Sequence, residues 1–153
     1  MTVAPVRVGV VGCGYWGPKL ARNLDALPGV ELVAVADPSS DRRAHMAEGF
    51  PRARVLADHR ALLDLGLDAV AIATPVATHA ALATEALAAG CHVLVEKPLA
   101  ASSAEARGLV AAAAAAGRVL MVGHTFASPP AVAYIRDRIA EGHLGRLYYI
   151  DAV

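Results

Sequence analysis

The sequence predicts the α/β class, a doubly wound parallel sheet with helices on both faces, and three observations carry that prediction. Short runs rich in Val and Ile alternate with longer Ala, Leu and Arg stretches of helical periodicity; a glycine-rich turn follows the first run; and an acid closes the second. The Val and Ile runs are near-continuous rather than alternating, as strands buried on both faces require.

Taken in order, a strand is expected over residues 6–11, where Val-Arg-Val-Gly-Val-Val runs straight into Gly12, and a helix over 16–26 follows. The run Glu-Leu-Val-Ala-Val-Ala gives a second strand over 31–36, with a helix over 41–48 and a short third strand over 54–56. A helix over 60–65 leads to a fourth strand over 69–73, and a helix over 77–89 ends at Gly90, placed as a left-handed cap. The fifth strand is 92–95. Ser102 with Glu105 three residues on forms a capping box for a helix over 103–116, which Gly117 closes before a sixth strand over 119–122. The alanine run in that helix reads as high helix propensity with a small packing face. Beyond His124 the pattern changes to a Pro-Pro segment, a helix over 131–141, a turn at Gly142 and Gly145, and a strand over 147–153 that has no partner. The expected organisation is therefore a sheet domain over 1–123 and a connecting helix with the first strand of a truncated second domain over 124–153.

Composition narrows the function classes. With 153 residues, 56% of them hydrophobic, the chain buries one core and is too short for two ordinary domains. Fourteen basic residues balance fourteen acidic ones, so no global field gathers nucleic acid or an anionic membrane surface. Pro5 and Arg7 interrupt the start, unlike a signal peptide, and the longest apolar stretch, 109–122, is broken by Gly117 and Arg118, short of the roughly 20 residues of a membrane span. Cys13 and Cys91 lie far apart, and His45, His59, His92 and His143 show no metal-ligand spacing. A soluble protein of the reducing cytoplasm, without metal, is expected.

The strongest chemical signal is Gly12-Cys13-Gly14-Tyr15-Trp16-Gly17, a G-x-G-x-x-G pattern between the first strand and the first helix. Gly12 permits the tight turn, Gly14 lets the backbone approach a pyrophosphate, and Gly17 lets helix and strand pack closely, with the pyrophosphate at the helix N-terminus. A tight turn with no ligand needs similar glycines. Asp37 changes the balance, because it closes the second strand about 20 residues after the loop, where an acid bonds the adenosine ribose hydroxyls. The reading is a Rossmann domain for NAD. Ser39, Ser40, Arg42 and Arg43 follow closely and leave NADP open. Cys13, Tyr15 and Trp16 offer backbone to the cofactor, and their side chains read as packing.

In such sheets ligands lie beyond the carboxyl ends of the strands. There the fourth strand presents Thr74-Pro75, with His79 one turn on; the fifth presents Glu96-Lys97-Pro98; the sixth presents Gly123-His124-Thr125-Phe126. Position alone leaves Lys97 open between a donor to substrate or cofactor ribose and a surface ion pair. His79 and His124 stand between polar groups at the nicotinamide end and hydrogen-bonded structural histidines.

Together the glycine loop, Asp37, Ala73-Thr74-Pro75 with His79, Gly90 before Cys91-His92-Val93-Leu94-Val95, Glu96-Lys97-Pro98, and Gly123-His124 through Gly142-His143-Leu144-Gly145 resemble the Gfo/Idh/MocA oxidoreductases. The resemblance covers essentially the whole chain. It implies hydride transfer between a sugar or cyclitol carbon and the nicotinamide C4, with Lys97 as the active-site lysine and Glu96 helping to fix the cofactor. The stretch 14–23 with Gly123-His124-Thr125-Phe126 is most similar to members acting on nucleotide-linked N-acetyl sugars. Members of the family continue into a second domain that supplies the substrate pocket, an Asp/His proton-transfer pair and the usual homo-oligomer contact. The chain alone is thus expected to bind cofactor with little turnover. A stand-alone cofactor sensor that pairs its last strand with a partner is the rival reading, and a methyltransferase with a similar loop is disfavoured by Glu96-Lys97-Pro98.

Overall fold

The computed structural model describes residues 4–127 and 129–151. Six parallel strands form one sheet: β1 (Val6–Val11), β2 (Val30–Ala36), β3 (Arg54–Leu56), β4 (Ala69–Ile72), β5 (His92–Glu96) and β6 (Leu120–Gly123). Their order is β3-β2-β1-β4-β5-β6, so the chain reverses its direction of travel between β1 and β4. A crevice opens at that reversal, outside the carboxyl ends of the strands.

Helices α1 (Gly17–Asp25) and α2 (Ser40–Gly49) cover one face, where Val10, Leu32, Val35 and Ala71 pack with Ala21 and Met46. Helices α3 (His59–Leu63), α4 (Val76–Ala88) and α5 (Ser103–Ala116) cover the other, with Val11, Ile72 and Val95 against Leu62, Ala83, Leu87 and Leu109. Neighbours such as Val10 and Val11 point to opposite faces and both are buried, which is why these strands lack a polar alternation. The expected caps form: Ser102 and Glu105 exchange both capping-box bonds, and Gly90 and Gly117 take φ of +83° and +61°.

The described residues fall into two compact units, 1–123 and 124–153. In the second, a 3-10 turn (Thr125–Ala127) precedes α6 (Pro130–Ala140), and Gly142 and Gly145 both adopt positive φ as the turn requires. The strand expected over 147–153 is corrected: residues 147–151 have no regular structure, and the last two lie outside the described residues. Tyr148 and Tyr149 are 82% exposed. Apolar sequence alone does not hold a strand whose backbone groups find no neighbouring ladder, so water satisfies them. Among the described residues no helix is long and apolar enough to cross a membrane.

Candidate functional site

A cleft of about 720 Å³ opens over the carboxyl ends of β1, β2 and β4. Gly12, Gly14, Tyr15, Asp37, Thr74 and Pro75 line it, six of the residues singled out from sequence.

Two of the three loop glycines are required by the protein itself. Gly12 has φ +91°, and a Cβ there would stand 2.6 Å from the Ala73 carbonyl oxygen. A Cβ on Gly17 would lie 2.0 Å from the Gly12 carbonyl oxygen, so only hydrogen lets α1 start so close to β1. Gly14 differs. Its φ is not positive, and the nearest atom to a built Cβ is Arg42 Nη1 at 3.9 Å. Nothing in the fold demands a glycine there, while the open space admits a ligand to the backbone. A ligand-free tight turn explains Gly12 and Gly17 and leaves Gly14 unexplained; the extended diphosphate of a dinucleotide fits all three.

Asp37 is only 3% exposed and joins the loop to the end of β2. One carboxylate oxygen accepts from Cys13 N–H at 2.7 Å, the other from Ser39 N–H at 2.9 Å, and the Arg42 guanidinium is 3.5 Å away. Arg42 and Arg43, alike in sequence, are placed differently. Arg43 donates to the Asp37 and Pro38 carbonyls at 2.9 and 2.8 Å, whereas Arg42 lines the cleft between Asp37 and Gly14. Beneath the loop, burial first and the Asp37 carboxylate second push the Cys13 thiol up to about 12. It is an inert packing group.

The remaining residues occupy three settings. Val95 pairs with Ile72, so the Glu96-Lys97 tip of β5 stands one strand over from the Ala73-Thr74 tip of β4. Lys97 is exposed, its peptide to Pro98 is cis, and its N–H donates to Glu96 Oε2 at 3.3 Å, while the Glu96 carboxyl rests over Gly123. Neither side chain lines the cleft. His79, left open in sequence between a polar contact and a structural histidine, is 1% exposed, and its ring nitrogens lie 2.9 Å from the Pro98 carbonyl and 2.8 Å from the Thr74 carbonyl. Both nitrogens face carbonyls of the two strand tips, and in the neutral ring one of them donates. His124 is exposed at the start of the second unit, where its carbonyl accepts from Ala127 N–H at 2.9 Å.

Several lining residues escaped the sequence reading. Thr78 and Leu82, one turn apart on α4, form a wall, with Thr78 and Thr74 hydroxyls 2.8 Å apart. Asp58 and His59 close the far end, His59 bonded to Glu85 at 2.9 Å. The signal available was position: residues 57–59 follow β3 at the same sheet edge as Gly12. At the rim, Lys19 Nζ sits 3.4 Å over the Tyr15 ring and 4.6 Å over the Trp16 ring, and the two rings meet edge to face. Lys19 lowers the Tyr15 phenol pKa, by hydrogen bonding first and by its charge second. Among the described residues no three His, Cys, Asp or Glu side chains gather as a metal-ligand set.

Comparisons with known proteins agree with this geometry. Residues 6–124 match the family model described as an oxidoreductase family with an NAD-binding Rossmann fold. Inositol 2-dehydrogenase 1 of Saccharopolyspora erythraea is 40% identical over 144 residues, covering 92% of this chain and 43% of that protein. GenD2 from gentamicin A biosynthesis, solved with NAD, superposes with a TM-score of 0.86 at 37% identity over 94% of this chain and 41% of that one. KijD10, a 3-ketoreductase from Actinomadura kijaniata solved with NADP and TDP-benzene, gives 0.82 at 35% identity over 90% and 43%. The chain thus spans less than half the length of these relatives. With the glycine loop, the acid after β2 and the strand order all in place over the matched segment, the chain belongs to the Gfo/Idh/MocA oxidoreductase family and carries its NAD-binding Rossmann domain.

Proposed function

We propose that this chain is the cofactor-binding part of an NAD(P)-dependent dehydrogenase that moves hydride between a sugar, nucleotide-sugar or cyclitol hydroxyl carbon and nicotinamide. The observation that carries the reading is Gly14, whose missing side chain no atom of the fold requires and which opens onto the cleft beside Asp37. The loop backbone from Gly12 to Gly17 and the uncapped start of α1 hold the diphosphate; Asp37 accepts from the adenosine ribose hydroxyls with lone pairs its two backbone donors leave free. Thr74 and Pro75 form the floor toward the reacting end, and His79 acts by holding the β4 and β5 tips in register. When bound, nicotinamide supplies the hydride acceptor.

Lys97 is the residue assigned to catalysis, as a donor to the substrate oxygen, with Glu96 beside it placing the cofactor. Residues 1–123 serve as the cofactor domain, and 124–153 lead toward the substrate-binding part. The chain by itself binds cofactor and turns over little, because it spans less than half the length of the relatives it matches. The intact protein is a cytoplasmic homo-oligomer that needs neither nucleic acid nor membrane. Calorimetric titration of NADH and NADPH into the chain and its Gly14→Val variant tests the reading. Micromolar binding that Gly14→Val abolishes while circular dichroism stays unchanged supports it; equal binding by both proteins, or by neither, rejects it.

A further inference from the structure

The strand order fixes which part of a dinucleotide meets each strand tip. With β3-β2-β1-β4 as neighbours, a diphosphate at Gly12 and Gly14 after β1 puts the adenosine ribose at Asp37 after β2. The base then lies one strand further out, over residues 57–59 after β3. Asp37 N–H donates to the Leu56 carbonyl at 3.1 Å, which fastens the two tips side by side. Pro38, Ala57 and Leu82 line this end with apolar surface suited to a flat ring, and Asp58 and His59 close it with polar groups.

The two oxygens of Asp58 are in different states. Oδ1 accepts from Arg60 N–H at 3.0 Å and lies 3.3 Å from His59 Nδ1, while Oδ2 has no hydrogen-bond partner among the described residues. His59 is anchored from its other side, Nε2 lying 2.9 Å from Glu85 Oε2, an oxygen that also accepts from Arg60 Nε at 3.2 Å. Capping α3 uses one oxygen, which a hydroxyl supplies equally well. The second oxygen of a braced carboxylate at the edge of the cleft is left over.

Adenine carries an amino group at C6, a donor, where guanine and hypoxanthine carry a carbonyl, an acceptor. We propose that Asp58 is the residue that reads the base of the cofactor, Oδ2 accepting from the C6 amino group of adenine while Oδ1 stays on the helix. The inference rests on the cofactor reading above and adds to it a base preference. An unshared carboxylate oxygen accepts from an amino group and repels a carbonyl oxygen, so the site favours adenine dinucleotides over their hypoxanthine analogues.

The test exchanges donor and acceptor on both partners. NADH and reduced nicotinamide hypoxanthine dinucleotide are each titrated by calorimetry into the 153-residue chain, Asp58→Asn and Asp58→Ser. Asn and Ser both cap helices, so α3 is retained, and circular dichroism checks it. Asn keeps Oδ1 on Arg60 N–H and puts Nδ2, a donor, where Oδ2 stood. The parent is expected to bind NADH about fivefold more tightly than the analogue, Asp58→Ser to bind the two within twofold, and Asp58→Asn to lose or reverse the preference. A residue that serves only the helix leaves the ratio the same in all three proteins. Equal affinities in the parent, or a preference for NADH that survives in either folded variant, overturns the assignment; if Asp58→Asn does not fold, the ratio in Asp58→Ser decides. Should neither dinucleotide bind the parent, the cofactor reading falls by itself, and AMP against IMP, followed by protein NMR up to millimolar concentration, decides Asp58. A response to AMP stronger than to IMP and lost in Asp58→Ser then sustains it, and equal responses or none overturn it.

Discussion

The glycine loop yields a prediction in which stability and binding separate. Gly17→Ala places a methyl 2.0 Å from the Gly12 carbonyl oxygen, a backbone atom that moves only if the whole strand-to-helix turn moves. Overpacking of this kind costs about 1–3 kcal/mol, a large share of a stability on the order of 5–15 kcal/mol. Gly14→Ala meets nothing nearer than Arg42 Nη1 at 3.9 Å and needs no left-handed backbone. By restricting the unfolded chain it changes stability by between zero and a gain of about 1 kcal/mol. Its effect falls on the ligand, because the methyl stands where a diphosphate would approach the backbone. Losing one charge-assisted hydrogen bond costs about 1.5–3 kcal/mol, which is roughly 10- to 150-fold in dissociation constant. Urea unfolding followed by circular dichroism gives the first quantity and NADH calorimetry the second. If Gly14→Ala lowers the unfolding midpoint as far as Gly17→Ala does, or binds NADH within twofold of the parent, the division of labour between these glycines is wrong.

Other perturbations follow from the same contacts. Arg42→Ala removes the guanidinium facing Asp37 in the cleft, so NADPH affinity falls about tenfold or more while NADH changes little, read as a ratio of the two dissociation constants. Cys13, with a thiol pushed up to about 12, stays unreactive toward a disulfide reagent at pH 8 until the protein unfolds; because its folded pKa is raised above the ordinary 9.0, the associated stability is present below that value and is lost as pH rises through about 12. Glu85, whose pKa His59 lowers chiefly by hydrogen bonding, contributes stability above the ordinary 4.5 that disappears as pH falls below it. The stability difference between Glu85→Gln and the parent, about 0.2–1 kcal/mol at neutral pH for so exposed a pair, therefore closes in acid unfolding curves. His79→Leu removes the one donor set between the Thr74 and Pro98 carbonyls and destabilises by about 1–3 kcal/mol in urea, with the β4 and β5 tips loosened in hydrogen exchange.

What the sequence disclosed and what it concealed divide along a physical line. Strands buried on both faces need consecutive apolar residues, so Val10 and Val11 or Ala71 and Ile72 were visible as a pattern, and a backbone that must turn left leaves a glycine at Gly90 or Gly117. Local chemistry of that kind is written one residue at a time. Where a side chain is aimed depends instead on neighbours far along the chain. Arg42 and Arg43 are indistinguishable as letters, yet one bonds carbonyls and the other fronts the cleft, because successive residues on α2 diverge by about 100°. His79 is a polar letter near a ligand edge, and only the arrival of Pro98 and Thr74 at its two nitrogens shows that both already face carbonyls. Residues 147–151 fail for the complementary reason: a strand is a property of two segments, and its sequence describes one of them.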